Sequence, residues 1–288
     1  DNTYSVDEFV QPGETITAKN LSKFCGGKGL NQSIALASAG ADVAHFGCVG
    51  EDGDILLDML KSRGVNTDSV IKIDNITSGH AIIQVDSHGQ NSILLYPGAN
   101  RRMTPELIDR ELEKYSCGDW LLIQNETNCL EYIMRAANKK GMKIAFNPSP
   151  MDGTVSTLPL EFVDLFLVNE IEGAAVTGKE ITEEITAEFE KLFPNAAVIL
   201  TLGKKGSIFK SEKDMLFQPS YCGTVKDTTG AGDTYTGFFI ANYINGVSPQ
   251  ECMRIAAMAS TVQISRDGAA IAIPTKQEVL NALKNHCR

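Results

Sequence analysis

From Trp120 onward the chain alternates between two hydrophobic periods, and that alternation leaves few folds open. Apolar runs near 120–124, 143–146, 165–168 and 198–202 predict strands, and amphipathic stretches near 129–140, 170–177 and 183–193 predict helices between them. Strands separated by helices are joined by crossovers rather than hairpins. They therefore lie parallel, with helices covering both faces of the sheet. The 288 residues, 43% of them hydrophobic, are enough to bury one large α/β core or one core with a small appendage.

The first hundred residues break the pattern. Tyr4-Ser5-Val6 and Thr15-Ile16-Thr17-Ala18 flank a Gln11-Pro12-Gly13 turn and predict two short strands. Runs at 81–85 and 92–96, joined by Asp86-Ser87-His88-Gly89-Gln90, predict a hairpin. These pieces are expected to form a small separate sheet. Between them, Cys25-Gly26-Gly27-Lys28-Gly29 leads into an amphipathic helix that ends at Gly40. A strand at 43–49 and a helix ending at Gly64 follow, and Thr104-Pro105-Glu106 starts a further helix. Strand-like runs at 206–210, 215–218 and 221–225 precede three helices near 231–245, 249–265 and 275–286.

Composition removes several classes of function. A net charge of −10 argues against nucleic-acid and anionic-membrane partners, which need a basic face. No apolar run approaches the roughly 18 residues of a membrane span, and no charged-then-apolar leader opens the sequence, so a cytoplasmic protein is expected. The seven cysteines are scattered without a Cys-x-x-Cys pair and read as reduced thiols. The four histidines are equally dispersed, and none is expected to ligate a metal or act as a base.

In open parallel sheets, ligands gather where strands run into helices. Polar groups fall on such positions at Lys28 and Asn31, at Glu126, at Asn169 and Glu172, and at Asp233. The stretch Asp227-Thr228-Thr229-Gly230-Ala231-Gly232-Asp233 reads as a glycine turn opening a helix, a place suited to an anion. A turn with Asp233 as a plain helix cap fits it too. A capping box fits Asn169 and Glu172 better than a ligand site does, on spacing alone. Lys28 is not part of a Walker A loop, because Gly29 follows it where Ser or Thr is required, and no Gly-x-Gly-x-x-Gly of a dehydrogenase follows the first strands.

Gly26-Gly27-Lys28-Gly29-x-Asn31 and, about 200 residues later, Asp227-Thr228-Thr229-Gly230-Ala231-Gly232-Asp233-Thr234 resemble the two signatures of ribokinase and its relatives, the phosphofructokinase-B-type carbohydrate kinases. Asn169-x-x-Glu172, Gly50-x-Asp52, Pro97-Gly98-Ala99-Asn100 and Asn147-Pro148-Ser149-Pro150 extend the resemblance over the whole chain. It implies a three-layer α/β/α sandwich with a mostly parallel sheet, formed by 21–75 and 98–288, and a β lid formed by 1–20 and 76–97. It implies an ATP-dependent sugar kinase. The backbone of Gly230, Ala231 and Gly232 would hold the moving phosphate, and Asp233 would take the proton of the attacking hydroxyl. At a helix N-terminus that carboxylate is expected to be a weak base.

The resemblance also assigns the other ligands. Asp1, Gly27, Lys28, Asn31 and Glu126 would bind the sugar, with ribose first among the candidates and deoxyribose, fructose or adenosine behind it. Asn169, Thr201, Gly203, Gly206, Gly232 and Ala257 would line the ATP site, and Glu172 would organise Mg²⁺ through water. Asp227, Thr229, Gln263, Arg266, Gly268 and Ala272 would surround a monovalent cation, K⁺, although Ala272 departs from the polar residue usual there. The family pairs lids between subunits, which implies a homodimer. It also places a core strand before the aspartate matching Asp1, so a stretch preceding this sequence is expected. A non-catalytic sugar sensor is the reading from another class, and an intact Asp233 with its glycines speaks against it.

Overall fold

The computed structural model describes residues 1–286. Its elements run β1 (Asn2–Ser5), β2 (Asn20–Lys23), α1 (Lys28–Ala39), β3 (Ala44–Val49), α2 (Asp54–Ser62), β4 (Asn66–Lys72), β5 (His80–Val85), β6 (Asn91–Tyr96), α3 (Pro105–Leu112) and β7 (Trp120–Gln124). There follow α4 (Leu130–Lys139), β8 (Lys143–Asn147), β9 (Leu165–Asn169), α5 (Glu170–Thr177), α6 (Thr182–Leu192), β10 (Ala197–Thr201), β11 (Ser207–Lys210), β12 (Met215–Gln218), α7 (Ala231–Tyr243), α8 (Pro249–Gln263) and α9 (Lys276–His286).

The main sheet has the order β12-β11-β10-β9-β8-β7. β7 to β10 are parallel, and β11 and β12 close one side antiparallel. Alternate residues of its strands enter two different cores. Leu165, Leu167 and Ile199 pack with α1, α7 and α8, whereas Phe166, Val168, Val198 and Leu200 pack with α3, α4 and α6. Helices on both faces make the three-layer α/β/α sandwich that the alternation predicted.

A four-stranded sheet, β2-β1-β5-β6, stands apart from it. Its edge strand β6 is exposed along its whole length, including Ile93, Leu94, Leu95 and Tyr96. The sheet is joined to the core by a close junction. Asp52 accepts from Ser78 N–H at 2.7 Å, Gly50 N–H donates to Ser78 Oγ at 3.0 Å, and Ala99 N–H donates to Thr77 O at 3.0 Å. A side chain on Gly50 would lie 2.2 Å from Ile76 O, so backbone must pass there without a Cβ.

Three details differ from the sequence reading. Residues 15–18 are irregular, and the second strand begins only at Asn20. β1 ends at Ser5, whose partner is Asn20, so 15–18 have no strand to pair with. Residues 221–225 are not a strand either. β12 is the sheet edge, and this segment leaves it to run along α8, with Gly223 against Thr261 and Lys226 N–H on Ile264 O. Conversely, residues 66–72, polar in their first four positions, form β4, which pairs parallel to β3 in a separate two-stranded sheet. Its strand state comes from that partner rather than from a hydrophobic pattern.

Candidate active site

The site is set by the crossing of α1 and α7. Gly237 of α7 lies so close to α1 that a Cβ on it would sit 2.4 Å from Ala35 Cβ and 2.7 Å from Leu36 N. One turn back on each helix, the same approach brings Asn31 against Asp233. Asn31 Nδ2 donates to Asp233 Oδ2 at 2.9 Å, and Gln32 Nε2 donates to Asp233 Oδ1 at 2.9 Å. Both carboxylate oxygens of a buried aspartate are thereby held by neutral amides. Gln32 Nε2 also reaches Asn147 Oδ1 at 3.2 Å, Gln32 Oε1 accepts from Gln124 Nε2 at 2.6 Å, and Asn147 Nδ2 donates to Leu167 O at 2.8 Å. The aspartate is thus tied through side chains to the ends of β7 and β8 and to the backbone of β9.

Burial raises the pKa of Asp233, and the Lys28 charge and the Asn31 and Gln32 hydrogen bonds only partly oppose it. The weak base expected from the helix N-terminus is therefore corrected: α1 closes over the carboxylate, and loss of water pushes its pKa up. Glu126 is raised as well, first by burial, with the Lys28 charge opposing and the Asp233 charge adding to the rise. Its Oε2 accepts from Lys28 N–H at 3.2 Å. Gly27 caps α1 at φ +96° and accepts from Asn31 N–H at 2.9 Å, which turns Lys28 and Asn31 toward the same region. Asp1 packs on the preceding residue, its carboxylate filling the place where a Cβ on Gly26 would lie.

A cleft of about 160 Å³ opens beside Asp233. Lys28, Gly230, Ala231 and Gly232 are among the residues that line it, together with Asn169, Glu172 and Thr201. Gly230 caps α7 at φ +76°, a conformation that suits glycine, and a Cβ on Gly232 would meet only open space. Ala231 N–H donates to Thr228 O at 3.2 Å, leaving the N–H groups of Gly232 and Asp233 in a first turn that has no intrahelical acceptor. Such a turn with open space beside it suits an anion.

Asn169 and Glu172 form the capping box that their spacing suggested: Glu172 N–H donates to Asn169 Oδ1 at 2.9 Å, and Asn169 N–H to Glu172 Oε2 at 3.0 Å. Both still face the cleft. Gly203, Gly206 and Ala257 do not line it. Gly206 packs on β12, where a Cβ would lie 2.1 Å from Gln218 O, and Ala257 is on the buried face of α8, in the core.

A family model described as pfkB family carbohydrate kinase matches residues 2–276. The chain belongs to that family. It is 32% identical to ribokinase of Haemophilus influenzae over 99% of this chain and 95% of that protein. It is 30% identical to deoxyribokinase of Salmonella typhi, over 96% of this chain and 92% of that one. The solved structure of Arabidopsis thaliana ribokinase with ribose and ATP superposes with a TM-score of 0.85 at 29% identity, covering 98% of this chain and 95% of that one. As a pfkB carbohydrate kinase, the protein is a phosphotransferase acting on a sugar hydroxyl.

The sequence reading missed the amides that stand behind the Asp233 carboxylate. Gln32, which holds the carboxylate, and Gln124, which holds Gln32, were given no role, and Asn147 entered only within the Asn147-Pro148-Ser149-Pro150 resemblance. Gln32 carried a faint signal, since it falls within a polar patch, Asn31-Gln32-Ser33, that interrupts the apolar residues of the helix. In the structure all three residues of that patch are buried.

Proposed function

We propose that the protein transfers the γ-phosphoryl group of ATP to the 5-hydroxyl of D-ribose. The observation that carries this reading is the placement of Asp233. It is a buried carboxylate, oriented by Asn31 and Gln32, one residue beyond the open first turn at Gly232. A hydroxyl resting on Asp233 would face a phosphoryl group held by the N–H groups of that turn. Phosphoryl transfer has a loose transition state, so alignment and charge stabilisation supply most of the rate and the proton can leave late. The raised pKa makes Asp233 a better acceptor for it.

Asn31 Oδ1 is buried without a partner, an acceptor that a sugar hydroxyl would satisfy. Lys28, Gly27, Glu126 and Asp1 supply the remaining donors and acceptors for a polyol. The nucleotide occupies the side of Asn169 and Thr201 and extends toward Gly203, Gly206 and Ala257. Among the described residues no group of three His, Cys, Asp or Glu is placed to hold a metal ion. Mg²⁺ fits nonetheless, because it keeps most of its waters and needs few carboxylates. Glu172, half engaged in its capping box, and Asn169 would hold it through water, where it neutralises phosphate charge.

The four-stranded sheet acts as a lid over the sugar, excluding water from the transfer. The apolar β6 edge is then the surface through which two lids pair in a homodimer. The protein works in the cytoplasm on this reading, and no helix among the described residues is long and apolar enough to cross a membrane. The deciding experiment is ADP release from Mg-ATP across ribose, deoxyribose, fructose and adenosine. Ribose should give the highest kcat/KM. A preference for deoxyribose would move the assignment to that sugar, and no turnover with any acceptor would favour a sensor.

A further inference from the structure

The loop 227–230 that leads into α7 lies against the turn 264–269 that follows α8, and two clips hold them together. Asp227 supplies the first: its Oδ1 accepts from Thr229 N–H at 2.8 Å and its Oδ2 from Gly268 N–H at 3.0 Å. Gln263 supplies the second. Its side chain is fully buried, and its Nε2 lies 3.1 Å from Thr229 O, 3.2 Å from Gly268 O and 2.9 Å from Ala269 O. Three backbone carbonyls therefore point at one nitrogen. Gln263 Oε1 is buried with no partner at all.

Carbonyl dipoles that converge on a point repel one another unless something positive sits there, and a ring of carbonyls is the environment that binds K⁺. Thr229 and Gly268 are among the positions that the family resemblance assigns to a monovalent cation. In this chain the shared focus of their carbonyls is taken by an amide with two hydrogens. Turning the amide over would aim Oε1 at three carbonyl oxygens, so the orientation is dictated by its surroundings. Ala272, at another of the assigned positions, brings no side-chain oxygen. The residues present do not fit a monovalent cation at that focus.

We propose that the Gln263 carboxamide is a built-in replacement for the cation, and that it makes this kinase independent of K⁺. The effect reaches the reaction through Gly230. A Cβ on Gly230 would lie 3.3 Å from Ala269 Cβ and 3.4 Å from Gln263 Nε2, so the amide packs directly beneath the residue that opens the anion-binding turn. A donor attached to the chain has no binding equilibrium of its own, and the turn stays formed at any salt composition. The inference rests on the kinase reading of the site.

The test compares ribose phosphorylation by the intact enzyme in a tetramethylammonium buffer with and without added KCl, alongside ADP affinity by calorimetry in the same buffers. Turnover and ADP affinity of the wild type should change by less than about twofold, since a site already filled by a buried hydrogen-bonded group gains nothing from the ion. Gln263→Ala should lose about tenfold or more in both without K⁺, the scale of removing a buried donor, and recover when K⁺ enters the vacated focus. A wild type stimulated tenfold by K⁺ overturns the proposal, as does a Gln263→Ala enzyme fully active without the ion. If that variant does not fold, the wild-type comparison decides alone. Absence of turnover in both buffers would instead overturn the kinase reading. In that case a K⁺-dependent rise in melting temperature of the wild type would still overturn the amide clip, and its absence would support it.

Discussion

Asp233 and Asp227 bracket the same glycine turn, yet the structure treats them in opposite ways. Asp233 stands on the first turn of α7 with α1 laid across it, so burial raises its pKa and two neutral amides hold it in place. At Asp227 burial also works to raise the pKa, but the hydrogen bonds from Thr229 and Gly268 together outweigh it and leave the carboxyl below its ordinary value. One region buries its carboxylate where loss of water favours the protonated form. The other keeps a carboxylate ionised so that it can bind two loops together. Residue type and helix proximity are common to both, and the surroundings decide the role.

The sharpest way to break this contrast is Asp233→Asn. Turnover should fall by about 10²–10⁴-fold, the range of a lost general base. Melting temperature should hold or rise, because the variant removes a buried charge and Asn31 can turn its unpartnered Oδ1 toward the new amide. A stability loss as large as the activity loss would show that Asp233 serves the fold rather than the chemistry.

Asp227→Ala should act the other way round. Two N–H groups lose their acceptor and the turn loosens, so about a tenfold loss of activity should come with a lowered melting temperature. Gly237→Ala tests the helix crossing that brings Asn31 to Asp233. Overpacking against Leu36 N should cost about 1–3 kcal/mol of stability in chemical denaturation, and kcat should drop as the two residues part.

The smallest effect is a shift in pH dependence. Gln32→Leu removes one hydrogen bond that lowers the Asp233 pKa, so the acidic limb of the pH profile of kcat/KM should move to higher pH, with a several-fold loss at its plateau. A limb that does not move would show that Asp233 is not the titrating group. The linkage has a defined sign. The folded-state pKa of Asp233 is raised, so its contribution to stability is present below the unfolded value and lost as pH rises through the folded one. The stability advantage of Asp233→Asn should therefore be largest near neutrality and close as the solution is acidified through that raised value. Asp227 is lowered, so its contribution is present above its unfolded value and fades on acidification.

How much of this was legible in the residues follows from how local each cause is. The parallel sheet was readable because Leu165 to Val168 and their counterparts carry their period in a few consecutive side chains. β4 was not, because Asn66-Thr67-Asp68-Ser69 has no such period and becomes a strand only beside β3. The capping box at Asn169 and Glu172 was readable from i, i+3 spacing. The small separate sheet was anticipated in outline, but its second strand was placed too early, since its true register depends on where β1 stops.

By itself, then, the chain determined an α/β sandwich and a glycine turn with a carboxylate at a helix start, since period, turn chemistry and helix capping act over a few residues. Tertiary structure alone decided what that turn is. The close passage of α7 over α1 at Gly237 buries Asp233 and reverses the pKa direction expected from its helix. The return of α8 delivers the Gln263 amide to Thr229 O, in a loop 34 residues away, and to the carbonyls of Gly268 and Ala269 in the turn that follows the helix. Burial and convergence are sums over segments distant in the chain, and no local pattern records them.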